Sequence, residues 1–121
     1  MDIFKEFTFE AAHRLPNVRP GHKCGRLHGH SFQVQVHVRG SVDEQAGWVL
    51  DFGDINEVFR PLHVQLDHNF LNEIDGLSNP TSENIALWIW DRLQPQLPLL
   101  NKIVVRETCT SGCVYKGPGS Q

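Results

Sequence analysis

Ser31-Phe32-Gln33-Val34-Gln35-Val36-His37-Val38-Arg39 alternates without a break, with Phe32, Val34, Val36 and Val38 on one side and Gln33, Gln35, His37 and Arg39 on the other. Strict period two predicts a half-buried strand, one face on a core and one in water. If the strand runs back to His28, then His28 and His30 share the parity of the apolar set. Both imidazoles then project to one side.

Working outward, Ile3 to His13 predicts a first strand. Phe7, Phe9, Ala11 and His13 share one parity while Glu6, Thr8 and Glu10 take the other. Leu15 to Arg26 carries Pro16, Pro20, Gly21 and Gly25 and is an irregular loop that delivers Cys24 just before the paired histidines. A turn over Asp43 to Gly47 leads to Trp48, Leu50 and Phe52, which alternate and predict a hairpin with the preceding strand. Asp54 is placed to cap a helix with Ile55, Val58, Phe59 and Leu62 on its apolar face, kinked or stopped early by Pro61. A second helix is predicted after Pro80, with Thr81 as N-cap, Glu83 in the first turn and Ile85, Trp88, Ile89 and Leu93 inward. Lys102 to Thr108 and Val114-Tyr115 are the last strands, Cys109 to Cys113 the tight turn between them, and residues 117–121 a tail expected to be disordered. Strands grouped with strands predict a single α+β domain over residues 1–121, its sheet antiparallel and both helices on one face.

The net charge of −3 speaks against a nucleic-acid surface, and no Lys/Arg cluster reverses it. An anionic ligand would need a local basic pocket or a helix N-terminus. No apolar run approaches the roughly 18 residues that span a bilayer. Met1 to Glu6 lacks the pattern of a signal peptide, and the odd count of three cysteines fits no closed disulfide framework. The expectation is a cytoplasmic protein with reduced thiols. At 121 residues a ligand pocket strains a single core, so a homo-oligomer that completes its sites between subunits is expected.

His28 and His30 on one side of a strand, with His13 at the end of its neighbour, are either three unrelated histidines on a polar rim or a three-nitrogen zinc site with an open fourth position, the pattern of a catalytic metal and the reading favoured here. Cys24 has His22, Lys23 and Arg26 close by, and positive neighbours favour thiolate. It is a reactive thiol, an inert small side chain, or a fourth ligand that closes the site. Asp67-His68 is either an orienter and base couple or a surface pair, and adjacent residues meet only if the segment is irregular. Glu107 shares the parity of Ile103 and Val105 and needs a partner, either a base such as Arg106 or a ligand edge with two adjacent N–H donors, as in a pterin. His37 and His63 are expected at the surface, and Trp48, Trp88 and Trp90 in a core or interface.

Phe9-Glu10-Ala11-Ala12-His13, Cys24 to His30, Leu66-Asp67-His68, Pro80-Thr81-Ser82-Glu83 and Glu107-Thr108, in that order, resemble the 6-pyruvoyltetrahydropterin synthase/6-carboxytetrahydropterin synthase family over nearly the whole chain. The three residues between Cys24 and His28 resemble its bacterial carboxy-forming branch, which serves queuosine biosynthesis; pyruvoyl-forming relatives tend to carry a longer insert there. The resemblance implies a tunnelling fold, an antiparallel four-stranded sheet with two helices on one face that joins other subunits in a barrel, commonly a hexamer of two trimers. It implies one zinc ion per subunit on His13, His28 and His30, Cys24 as proton acceptor, Asp67 and His68 as its relay, and Glu107 as pterin anchor. The implied reaction is conversion of 7,8-dihydroneopterin triphosphate to 6-carboxy-5,6,7,8-tetrahydropterin with release of acetaldehyde and triphosphate. The alternatives are a pyruvoyl-forming synthase that only eliminates triphosphate, and a non-catalytic protein whose zinc is held by Cys24 and the three histidines.

Overall fold

The alternating stretch forms the centre of the sheet. In the computed structural model, which describes residues 1–108 and 110–119, strand β2 (His28–Arg39) buries Phe32, Val34, Val36 and Val38 completely. Cys109, Ser120 and Gln121 lie outside the described residues, and with them the first residue of the expected Cys109–Cys113 turn and the end of the tail. Strand β1 (Asp2–His13) runs antiparallel to β2 along its whole length, from Asp2 opposite Arg39 to His13 opposite His28. On the other side of β2 lies β4 (Leu100–Arg106), followed by β5 (Gly112–Tyr115), both antiparallel.

Helices α1 (Phe52–Leu66) and α2 (Ser82–Leu93) cover one face of this sheet. Ile55, Phe59, Ile85 and Ile89 join Phe9, Phe32, Val34, Val36, Ile103 and Val105 in one core. Helix α2 starts where its sequence predicts: the Thr81 hydroxyl accepts the Asn84 N–H at 3.1 Å, and Glu83 sits in the first turn. The uncovered face stays polar, with Glu6 taking hydrogen bonds from Gln33 and Gln35. Among the described residues, no helix is long and apolar enough to cross a membrane.

The structure departs from the expectation in six places. A two-residue strand, β3 (Asn69–Phe70), pairs parallel with Ala11 and Ala12, so that among the described residues the sheet has five strands in the order β3-β1-β2-β4-β5 instead of four and is not wholly antiparallel. Two residues are too few to show a period. Trp48, Leu50 and Phe52 form no strand: the Asp43 carboxylate holds a turn through the Gln45 and Ala46 N–H groups, Trp48 is half exposed, and Phe52 already belongs to α1. The helix cap is Asp51, which accepts the Gly53 N–H at 2.8 Å, and Asp54 lies in the first turn. The helix also runs through Pro61, held on the sheet on both sides of it by buried Ile55, Phe59, Leu62 and Leu66.

His37 is the fourth departure. It is 8 % exposed, stacked on Phe4 with ring centroids 5.0 Å apart, its Nε2 at 2.9 Å from the Gln35 amide oxygen. His63 is half-buried with Nε2 on the Thr8 carbonyl. Part of the tail is packed, too: Gly117 is buried at φ +99°, and a Cβ there would come within 2.6 Å of Trp90.

Candidate active site

The register of β1 and β2 creates the site. His13 faces His28 and Ala11 faces His30, so the three imidazoles share the helix-covered side at one end of the sheet. One ligand atom from each lies within 4.8 Å of the others, and their ring centroids are 4.5–5.1 Å apart. Phe32 packs against the rings of His13 and His30 at 5.5 and 5.7 Å and closes the site on the core side.

Two backbone carbonyls fix the tautomers. His13 Nδ1 lies 2.7 Å from the Pro80 carbonyl oxygen, and His28 Nδ1 lies 2.7 Å from that of Arg26. A carbonyl only accepts, so each Nδ1 carries the hydrogen and each Nε2 presents a lone pair. His30 Nδ1 is 3.4 Å from the Thr108 hydroxyl. His13 is 1 % exposed, and its Nε2 has no partner among the described residues. Burying such a group unpaired costs about 1–3 kcal/mol, so the orphan marks a place for something not supplied by the protein. Burial also pushes the His13 pKa below the ordinary histidine value, against the pull of the Pro80 carbonyl, which favours the neutral, ligating form. The trio fits a divalent cation that takes nitrogen ligands and retains an open position.

Cys24 stands at the edge of this trio in a short 3-10 turn, Lys23–Gly25, capped by His22 Nδ1, which accepts the Cys24 N–H at 3.0 Å. Its thiol is free and half-buried. Glu107 follows β4, its N–H on the Ser111 carbonyl, and its carboxylate reaches to 3.9 Å from His30 Nε2. A cavity of about 500 Å³ is lined by the three histidines together with Lys23, Cys24, Glu107 and Thr108.

Asp67 and His68 do touch each other. Asp67 ends α1, His68 takes the left-handed conformation (φ +58°), and Asp67 Oδ2 lies 2.9 Å from His68 Nδ1. That irregular backbone lets neighbours meet that would point apart on a strand. The Glu10 N–H on Asp67 Oδ1, more than His68, holds the Asp67 carboxyl below the usual carboxylate range. His68, however, opens onto a different cavity, of about 650 Å³, shared with Glu10, Ser31 and Asn69. Cys24 does not line that cavity, which has His30 and Thr108 in common with the one holding the histidine trio.

Four contributors escaped the sequence. Pro80 and Arg26 act through backbone carbonyls, which no side-chain pattern reveals, and Pro80-Thr81 announces only a helix start. Thr108 and Glu10 lie inside recognisable motifs, but their partners, Ser31 on β2 and Asp67 at the end of α1, are far away in sequence.

The family model for 6-pyruvoyl tetrahydropterin synthase matches residues 2–118. The chain is 44% identical over 122 residues to the 6-carboxy-5,6,7,8-tetrahydropterin synthase of Synechocystis, covering 96% of this chain and 93% of that protein. It is 35% identical to the human 6-pyruvoyl tetrahydrobiopterin synthase, covering 95% and 90%. Among solved structures, the Caenorhabditis elegans 6-pyruvoyl tetrahydropterin synthase superposes with a TM-score of 0.89 at 26% identity, over 97% of this chain and 95% of that one. By the match of the family model over residues 2–118 and by its likeness to these relatives, the chain belongs to the 6-pyruvoyl tetrahydropterin synthase family.

Proposed function

We propose that this chain is a zinc-dependent carbon–carbon lyase of cytoplasmic queuosine (7-deazaguanine) biosynthesis. With uptake of one water, it converts 7,8-dihydroneopterin triphosphate to 6-carboxy-5,6,7,8-tetrahydropterin, releasing acetaldehyde and triphosphate. The observation that carries the proposal is the buried, unpartnered Nε2 of His13 beside His28 and His30, in a cavity that also holds a free thiol. The choice of branch is supported by the Synechocystis relative and by the three residues between Cys24 and His28.

His13, His28 and His30 would hold one zinc ion per chain, which when bound supplies Lewis-acid stabilisation of oxyanion charge on the substrate side chain. Cys24 as thiolate takes a carbon-bound or hydroxyl proton. Glu107 accepts hydrogen bonds from the adjacent N–H groups of the pterin edge and fixes the ring so that its side chain lies in the cavity near Cys24. His68, oriented by Asp67, receives or returns the proton. Because His68 and Cys24 open onto different cavities of one chain, the relay is joined between copies in a homo-oligomer, a hexamer of two trimers closing the sheets into barrels.

Mass spectrometry of the products after incubation with 7,8-dihydroneopterin triphosphate tests the reaction. The expected result is 6-carboxytetrahydropterin with acetaldehyde. A product that keeps the side-chain carbons, with triphosphate as the only fragment released, would assign the pyruvoyl-forming reaction instead, which the 35% identical human relative keeps in view.

A further inference from the structure

Four of the chain's 11 lysines and arginines, and none of its 14 aspartates and glutamates, fall between Arg14 and Arg26. In a chain of net charge −3, that segment is a positive island. Its cations, Arg14, Arg19, Lys23 and Arg26, are three to five residues apart, so no basic run announces them. All four are exposed, and none is paired with a carboxylate among the described residues.

The backbone beneath these charges is fixed. The Leu15 N–H donates to the Cys24 carbonyl at 2.8 Å and closes the segment on itself, and the Arg26 N–H donates to the Lys23 carbonyl at 3.1 Å. Asn72 clamps the start: its side-chain oxygen accepts the Arg14 N–H at 2.9 Å and its amide donates to the Arg14 carbonyl at 2.7 Å. Val18 folds over Gly25, where a Cβ would meet its methyl at 3.3 Å. The charges therefore stand on an ordered loop, of which Leu15, Lys23 and Cys24 line the cavity that holds the histidine trio. Lys23 lines that cavity beside Cys24, which is also lined by one carboxylate, Glu107. A ligand suited to both ends has N–H donors at one end and negative charge at the other.

We propose that Arg14–Arg26 binds the polyphosphate end of the substrate, with Lys23 contacting the phosphate chain directly and Arg26 and Arg19 reinforcing it. This rests on the pterin-triphosphate reading and assigns its anionic half to residues. The Arg26 carbonyl, which orients His28, is a backbone group, so replacing the Arg26 side chain leaves that contact in place.

The test is a fluorescence titration of zinc-loaded protein with neopterin and neopterin triphosphate, the oxidised and unreactive counterparts of the proposed substrate, on the parent, Lys23→Gln and Lys23→Gln/Arg26→Gln. The parent is expected to favour the triphosphate, Lys23→Gln to lose about ten-fold of that preference, the size of one charge-assisted hydrogen bond, and the double variant to lose more, with neopterin affinity and zinc content unchanged. A preference unaltered in the double variant, or a parent with none, overturns the assignment. Turnover is scored separately: a parent that favours the triphosphate, loses that preference in the variants and yet never turns over the dihydro substrate keeps the polyphosphate site and refutes the lyase reaction.

Discussion

Cys24→Ala is expected to lower turnover about 10²–10⁴-fold, the usual contribution of a positioned acid or base, while retaining one zinc ion per chain. The physical ground is a division of labour within one short motif. The three histidines already offer three nitrogens at mutual distances within 4.8 Å, two of them with their tautomers set by backbone carbonyls. The thiol is not needed to hold the metal, and it stands free and half-buried on the wall of the same cavity. Zinc analysis and a melting curve accompany the kinetics. If Cys24 were a fourth ligand, the variant would lose zinc and melt earlier, because metal affinity at a closed site is folding free energy. Parental turnover in Cys24→Ala would remove the base assignment.

His28→Ala is expected to lose both zinc and turnover. Loss of a supporting partner of a ligand costs about 10–100-fold in affinity, and loss of the ligand itself should exceed that. His28 is the cleaner choice over His13: it is half-buried at the start of β2, whereas His13 is fully buried and packed edge-on to Phe32, so its removal opens the core as well. Circular dichroism should show the parental fold, and equilibrium dialysis should find no stoichiometric zinc. Retention of zinc at parental affinity would mean that the metal, if bound, sits elsewhere.

Much of this was legible in the sequence for identifiable reasons. The β2 alternation is long, uninterrupted and half polar, so strand, register face and core residues all followed, and His28 and His30 came with them by parity. Thr81 and Glu83 are local helix signals, and they held. The failures are also physical. β3 has only two residues, and Trp48, Leu50 and Phe52 alternate over too short a span to outweigh the Asp43 turn and the Asp51 cap. His37 is polar by type, yet Phe4 across the strand covers it. At the site, Pro80 and Arg26 contribute carbonyls that composition hides, and the left-handed backbone of His68, which turns Asp67-His68 into a touching pair, has no glycine to announce it. That His68 and Cys24 line different cavities is a property of the folded chain alone.

The central claim is that the histidines hold the metal and the cysteine serves the substrate. Zinc-edge X-ray absorption on the zinc-loaded protein measures this directly. The account predicts a first shell of nitrogen and oxygen only, at about 2.0–2.1 Å. A sulfur scatterer at about 2.3 Å would place Cys24 on the metal and contradict it.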